Sequence, residues 1–267
     1  MCRWAAWLGA PIFLSEILTS PRHSLIHQSR DASECKTSIN GDGFGLAWYD
    51  QRPTPGLYRD VYPAWSDPNL RSLAEQVSAR LFLAHVRAST GTATSRNNCH
   101  PFVFENWSFM HNGQVGGFEQ FRKSADMVID DRHYAHRKGA TDSEALFLIA
   151  CGMGLNSDPL GAMARAVSVL EDQALAVGAA PAMRVAAALS DGQSLYAVRY
   201  ASDNRAPSLY YRWNAVWQGW SVVSEPYEVD DEGWKEVPAG SFCRFTPAGV
   251  DIQPFLNDRA AVASRAA

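Results

Sequence analysis

Long apolar runs are missing from this 267-residue sequence: none reaches the ~18–20 residues that span a bilayer, which argues against a membrane helix. A surplus of one charge is missing too. Against 24 Lys and Arg stand 28 Asp and Glu, a net charge of −4, and no Lys/Arg-rich block interrupts the mixture. Without such a patch there is no electrostatic footprint for nucleic acid, so no nucleic-acid partner is expected. Cysteine is scarce and scattered. Cys2, Cys35, Cys99, Cys151 and Cys243 are odd in number and form no C-x-x-C pair, which speaks against a disulfide scaffold or a zinc site and suits a reducing compartment. The seven histidines contain no H-E-x-x-H. His133-x-x-His136 has no recognisable Cys or acidic ligand pattern around it, so no metal is expected. Nor is there a G-x-G-x-x-G turn: Gly41-Asp42-Gly43-x-Gly45 has different spacing and precedes a strand instead of following one. No cofactor is expected. The apolar segment Trp4 to Leu14 imitates a short signal region, but only Arg3 precedes it and no A-x-A-like cleavage site follows. A cytoplasmic protein is the expectation.

What the sequence does have is core material. Hydrophobic residues make up 46% and charged residues 19%, the balance of a globular chain, and no linker or repeat divides it. One domain over residues 2–267 is expected. Cys2 to Gly9 reads as a buried strand closed by Gly9 and Pro11, then a helical turn from Phe13 to Leu18. The glycine-rich turn from Gly41 feeds a strand through Tyr49, with Leu57 to Tyr62 as its partner. Pro68 opens an amphipathic helix that leads into the strand Leu81 to Arg87. Phe102 to Phe104 and Trp107 to Met110 are strand-like, and Asp130 to Lys138 reads as a solvated loop. Helices follow from Thr141 to Ala150 and from Asp158 to about Val177. The last third holds strands at Met183–Leu189, Ser194–Tyr200, Leu209–Trp213, Trp220–Val223 and Phe242–Phe245. Strands, then helices, then strands suit an α+β protein of two sheets with helices outside, not a βαβ sheet. Trp213, Trp217 and Trp220 cluster near the end, where packing is their default role.

The residue with the most chemical promise is Cys2. If Met1 is removed, Cys2 carries a thiol and a free α-amine together. The amine titrates near ~7.7–8.0 and the thiol near ~8.5, so the amine can serve as the thiol's base. On the dipeptide alone, an accident at the start of a short apolar strand is the simpler reading of Cys2. Arg87 closes an apolar strand and needs a carboxylate, either an internal one or a ligand's. His111-Asn112-Gly113 follows the strand Trp107 to Met110, and Asn-Gly there is the usual signal of a tight hairpin. Its other reading is an oxyanion hole: the Asn112 amide and the Gly113 N–H aimed at one oxygen, worth ~3–4 kcal/mol per donor. Thr141-x-x-Glu144 is a capping box, although an ionised Asp142 at a helix start could also bind an ammonium.

Taken in order, Met1-Cys2, Gly41-Asp42-Gly43-Phe44-Gly45-Leu46-Ala47-Trp48-Tyr49, His85-Val86-Arg87-Ala88-Ser89-Thr90, His100-Pro101-Phe102, His111-Asn112-Gly113 and Thr141-Asp142-Ser143-Glu144 resemble the class II glutamine amidotransferases. These belong to the N-terminal-nucleophile hydrolase superfamily, and the short chain is most similar to the stand-alone branch, which lacks a synthase domain. The resemblance implies a four-layer αββα sandwich of two antiparallel sheets flanked by helices. It implies Cys2 as nucleophile, Asn112 and Gly113 at the oxyanion, and Arg87, Thr90, Gly113 and Asp142 around a glutamine or γ-glutamyl substrate. Some members of that branch cleave γ-glutamyl compounds of thiol metabolism. A separate synthase subunit, a homo-oligomer, or an inactive module that binds a γ-glutamyl compound are the other readings the resemblance leaves open.

Overall fold

Alternation along the apolar strands decides the layering, because successive side chains leave a strand on opposite faces. The computed structural model describes residues 2–34, 38–89, 91–228 and 233–256. In β1 (Arg3–Phe13), Trp4, Ala6 and Leu8 enter one core while Ala5 and Trp7 enter another. The strand is therefore buried on both sides. It sits inside a seven-stranded sheet with β2 (Phe44–Tyr49), β3 (Gly56–Asp60), β4 (Ser78–Val86), β9 (Tyr210–Asn214), β10 (Gly219–Val223) and β11 (Lys235–Glu236), in the order β11-β9-β10-β1-β4-β2-β3. The second sheet has six strands, β5 (Phe102–Phe104), β6 (Trp107–Val115), β7 (Met183–Ser190), β8 (Leu195–Ala201), β12 (Ser241–Thr246) and β13 (Gly249–Pro254), ordered β13-β12-β8-β7-β6-β5. Neighbouring strands in both sheets run antiparallel.

Three cores separate four layers. Helices α1 (Ser15–Leu18), α2 (Leu25–Arg30) and α3 (Pro68–Gln76) cover the first sheet through Ile17, Leu25, Ile26 and Leu70 against Trp7, Phe82 and Ala84. Between the sheets, Trp4, Leu81 and Leu83 meet Met110, Ala186, Ala188 and Ala197. The alanines leave room for Trp4, whose indole N–H donates to the Ala186 carbonyl at 3.3 Å. Helices α4 (Phe118–Asp126), α5 (Asp131–Tyr134), α6 (Asp142–Gly152) and α7 (Pro159–Ala176) lie outside the second sheet, with α4, α6 and α7 packing on Phe109, Val185, Ala187 and Leu189. The protein is an α+β αββα sandwich. No described helix is long and apolar enough to cross a membrane.

Four local expectations fail, each for a tertiary reason. First, β1 does not stop at Gly9 and Pro11 but runs to Phe13, with a register shift between Leu8 and Ile12 that absorbs the proline, which has no N–H to donate. Second, Asn112-Gly113 is no hairpin turn: both lie inside β6, opposite Ala186 and Val185 of β7. Third, Asp130 to Lys138 is not a solvated loop. It contains α5, a buried His133, and Arg137, which ion-pairs with Asp126 at 3.0 Å and Glu144 at 2.8 Å. Fourth, the capping box is half formed. Thr141 Oγ1 accepts from the Glu144 N–H, but the Glu144 carboxylate turns away to accept from Arg137 and the Lys138 and Gly139 N–H groups. The strand β13 was not foreseen at all.

A buried clamp holds the start of β1. Ser224 Oγ accepts from the Trp4 N–H at 2.9 Å, and the fully buried Arg3 guanidinium donates to Ser224 O and Glu34 O. The Glu225 carboxylate faces Arg3 Nε at 3.5 Å, His23 Nε2 at 2.6 Å, and the Ser33 and Glu34 N–H groups. Burial raises the Glu225 pKa, but the His23 ring and the Ser33 and Glu34 donors outweigh it and hold the carboxyl below its ordinary value. A depressed folded pKa means the stabilisation is present above the unfolded pKa and is lost as pH falls through the folded one. Glu225→Ala is expected to lower the unfolding free energy by about 3–5 kcal/mol, since it strands a buried cation. Urea titrations at pH 7 and in the acid range below about 4 test this: the variant's deficit should shrink at acid pH.

Candidate active site

The same alternation collects the chemical side chains at one end of the sandwich. Carried one step outward, the inner face of β1 that bears Trp4 bears Cys2. The inner face of β4 passes from Leu83 to His85 and Arg87, and that of β6 from Met110 to Asn112. A cavity of about 360 Å³ opens there, lined by Cys2, Arg87, Asn112, Gly113 and Asp142 among others. All the candidate site residues that are described thus share one cavity. Thr90 and Met1 lie outside the described residues.

Cys2 is half-buried, directly ahead of β1. Its sulfur accepts from the Ala88 N–H at 3.4 Å and lies 3.5 Å from Ala88 O. Burial pushes the thiol pKa up, while the Ala88 N–H and then the Arg87 and Arg3 charges pull it down. Arg87 is buried at 3% exposure, and its guanidinium donates to Asp42 O at 3.2 Å, Ser89 Oγ at 3.1 Å and Thr92 Oγ1 at 2.7 Å. These are neutral acceptors. Among the described residues no carboxylate ion-pairs with it. The Gly-Asp-Gly turn makes this arrangement: Asp42 Oδ2 accepts from the Ser89 N–H at 2.7 Å, Asp42 N–H donates to Arg87 O, and Arg87 N–H to Gly43 O.

Asn112 is 1% exposed, yet among the described residues neither its amide nitrogen nor its oxygen has a hydrogen-bond partner. An unmet buried amide is costly, ~1–3 kcal/mol, unless a ligand completes it. At Gly113 φ is +151°, and a Cβ would collide with Arg184 O, so only glycine fits. Strand geometry also fixes where its N–H points. The Val115 N–H leaves β7 and donates to Asp142 Oδ2 at 2.8 Å, while Gly116 N–H turns back to Ala182 O. Two residues before Val115, the Gly113 N–H points away from β7 likewise. That edge of β6 is bare because β5 pairs only with residues 107–109.

Asp142 is held by the Ser143 N–H on Oδ1 at 2.8 Å and the Val115 N–H on Oδ2. Ser143 and His111, present in the sequence motifs without roles of their own, adjoin it, with His111 Nδ1 2.9 Å from Ser143 Oγ. His100 is a further cavity residue that the sequence reading quoted without a role. Its ring lies 4.3 Å from that of His85, and both rings are buried. Burial, reinforced for His85 by Arg87, pulls His85 down to about 3 and His100 well below its ordinary value, so both rings are neutral near pH 7. Among the described residues, no group of three or more His, Cys, Asp or Glu stands close enough to hold a metal.

A thiol beside a cation without a carboxylate, an unmet amide, an outward N–H and an anchored carboxylate form a pocket for an amide substrate carrying both charges of an amino acid. Residues 15–212 match the family model of the class II glutamine amidotransferases, a stretch that holds Arg87, Asn112, Gly113 and Asp142 and begins after Cys2. The chain belongs to that family and is an enzyme of that class. Its relatives include a probable glutamine amidotransferase of Saccharomyces cerevisiae, 30% identical over 305 residues, covering 97% of this chain and 85% of that one. The γ-glutamyl-hercynylcysteine sulfoxide hydrolase of Mycolicibacterium smegmatis is 28% identical over 258 residues, covering 95% and 100%. Among solved structures, a glutamine aminotransferase class-II domain protein from Silicibacter pomeroyi is 49% identical with a TM-score of 0.77, covering 95% and 99%.

Proposed function

We propose that the protein hydrolyses the side-chain amide of glutamine or of a larger γ-glutamyl amide, with Cys2 as nucleophile after loss of Met1. The observation that carries the reading is the buried Arg87 guanidinium, without a carboxylate among the described residues, in the same cavity as Cys2. An α-carboxylate supplies the missing charge in bidentate form. Asp142 takes the α-ammonium, and Thr90 contributes to the same subsite. The volume falls within the ~300–1,000 Å³ of small-molecule pockets, and the mycobacterial relative's name favours an amide larger than glutamine.

The Cys2 α-amine takes the thiol proton, and the thiolate attacks the amide carbon. The Asn112 amide and Gly113 N–H stabilise the oxyanion. Collapse breaks the C–N bond and the ammonium of Cys2 protonates the leaving nitrogen, giving ammonia or an amine and a γ-glutamyl thioester. Water, deprotonated by the same amine, then releases glutamate and restores the thiol. No step calls on a metal or cofactor. We assign residues 2–267 to one functional unit in the cytoplasm, where a reducing milieu keeps Cys2 free.

Intact-protein mass spectrometry with a diazoketone analogue of glutamine tests this. The expected result is a mass lacking Met1 that gains one adduct, mapped to Cys2. A retained Met1 with no adduct would overturn the reading and leave a ligand-binding module.

A further inference from the structure

Asp142 ends a short chain of side-chain contacts that runs along the cavity wall. Ser143 Oγ lies 2.9 Å from His111 Nδ1 and 3.2 Å from Asp142 Oδ1, and His111 Nε2 lies 3.2 Å from Arg184 O. We propose that His111 and Ser143 are positioning residues: His111 draws the Ser143 hydroxyl hydrogen away from Asp142 and so keeps the carboxylate's cavity-facing lone pairs open for the substrate's α-ammonium. The proposal rests on the reading of Asp142 as the ammonium site.

Hydrogen counting carries the argument. A main-chain carbonyl only accepts, so the hydrogen between His111 and Arg184 O belongs to Nε2. The opposite tautomer would set two lone pairs against each other there. The ring is 2% exposed, and burial pulls its pKa down, with the nearby Asp142 charge opposing, so it is neutral. In a neutral ring with Nε2–H, Nδ1 is an acceptor. Ser143 Oγ has one hydrogen, and two acceptors compete for it. The shorter contact, to His111, takes it. Among the described residues, Asp142 then holds two main-chain donors, the Ser143 N–H on Oδ1 and the Val115 N–H on Oδ2. These fix the plane of the carboxylate without filling its four acceptor positions. An α-ammonium brings three donors to what is left.

If the acceptor on residue 111 is removed, Asp142 is the acceptor that remains to the Ser143 hydroxyl among the described residues, and there the hydroxyl occupies a lone pair that the ammonium needs. The effect of such a change should then depend on the hydroxyl. That dependence separates this arrangement from mere packing, in which two lesions at adjacent buried positions add or worsen one another.

The experiment compares kcat/KM for glutamine with kcat/KM for the same compound lacking its α-amine, and reads the ratio. In His111→Phe, which keeps a flat ring beside Phe109, the preference for the α-amine should shrink about tenfold, the worth of one charge-assisted hydrogen bond. In His111→Phe/Ser143→Ala the preference should return to within about threefold of wild type. His111→Asn, which can still present an acceptor to Ser143, should keep most of it, and guards against a Phe variant that does not fold. An Asp142→Asn control separates the two layers of the argument. If it retains the preference, the ammonium reading of Asp142 fails, and this proposal with it. If it loses the preference while His111→Phe keeps it, or while the double variant stays as poor as His111→Phe, the ammonium site stands and the hydrogen competition is overturned.

Discussion

Cys2→Ala is expected to reduce turnover of glutamine or a γ-glutamyl amide by about four orders of magnitude or more, while leaving the fold in place. The sulfur is the only atom in the cavity proposed to bond to substrate carbon, so no residual pathway through a neighbour replaces it. Its structural contribution is small. The side chain is half-buried and, among the described residues, its hydrogen-bonding contacts are two long sulfur contacts to Ala88, of 3.4 and 3.5 Å. The β1 backbone behind it is held by Ser224 and Arg3, which the substitution does not touch. Thermal melting should therefore shift by only a few degrees, in the range of a change of ~1 kcal/mol. Cys2→Ser should be almost as inactive, because a hydroxyl is far harder to ionise than a thiol. An ammonia-release assay beside a melting curve decides the matter: activity within tenfold of wild type in either variant would sink the Cys2 mechanism.

Arg87→Lys carries the second largest expected effect, a fall of roughly 10²- to 10³-fold in kcat/KM. The guanidinium here is oriented by three neutral acceptors on its two terminal nitrogens, Asp42 O, Ser89 Oγ and Thr92 Oγ1. They fix the plane of the fork without neutralising its charge. A lysine ammonium retains the charge but is a point donor and cannot present two parallel N–H groups to a carboxylate. Because the α-carboxylate lies away from the reacting amide, the contact is made equally in ground and transition states. The loss should therefore fall mainly on KM, with kcat reduced less. Steady-state kinetics on one substrate separates the two constants. A kcat/KM within threefold of wild type would mean that Arg87 serves the Asp42 turn and not the substrate.

How far the sequence alone could reach depended on how local the cause was. Pro68 at the start of α3 and the glycine-rich turn before β2 are set by near neighbours and lie where those neighbours place them, and the strand expected over Leu81 to Arg87 is present as β4, Ser78–Val86, starting earlier and ending just before Arg87. Asn112-Gly113 was ambiguous because its dipeptide is a hairpin signal, and only pairing with β7 made it a strand. Nothing within ten residues announces that partner. Arg137 looked solvated because Asp126 and Glu144, which bury its charge, lie on two different helices. Runs such as Trp4-Ala5-Ala6-Trp7-Leu8 are apolar at every position, so they reveal a strand buried on both faces but not which side chain meets which core. The candidate site fared better than its surroundings. Cys2, Arg87, Asn112, Gly113 and Asp142 could be chosen by chemical type, whereas Ser143 and His111 gain significance only from a count of hydrogens in three dimensions.

The placement of β1 has a consequence for how the molecule comes into being on the ribosome. The strand behind Cys2 is not at an edge: β4 flanks it on one side and β10, residues 219–223, on the other, with Ser224 bonded to Trp4. The β4 contact can zip up early in synthesis, but the β10 contact must wait until most of the chain has emerged. Pairing across so long a stretch of chain is slow, because loop closure precedes any gain from contact. The seat of Cys2, the proposed nucleophile, is therefore finished only after β10 has been made. A nascent chain that ends before residue 219 carries Cys2 without β10, the strand that completes the seat of β1, so the proposed site can assemble only once translation has passed residue 223.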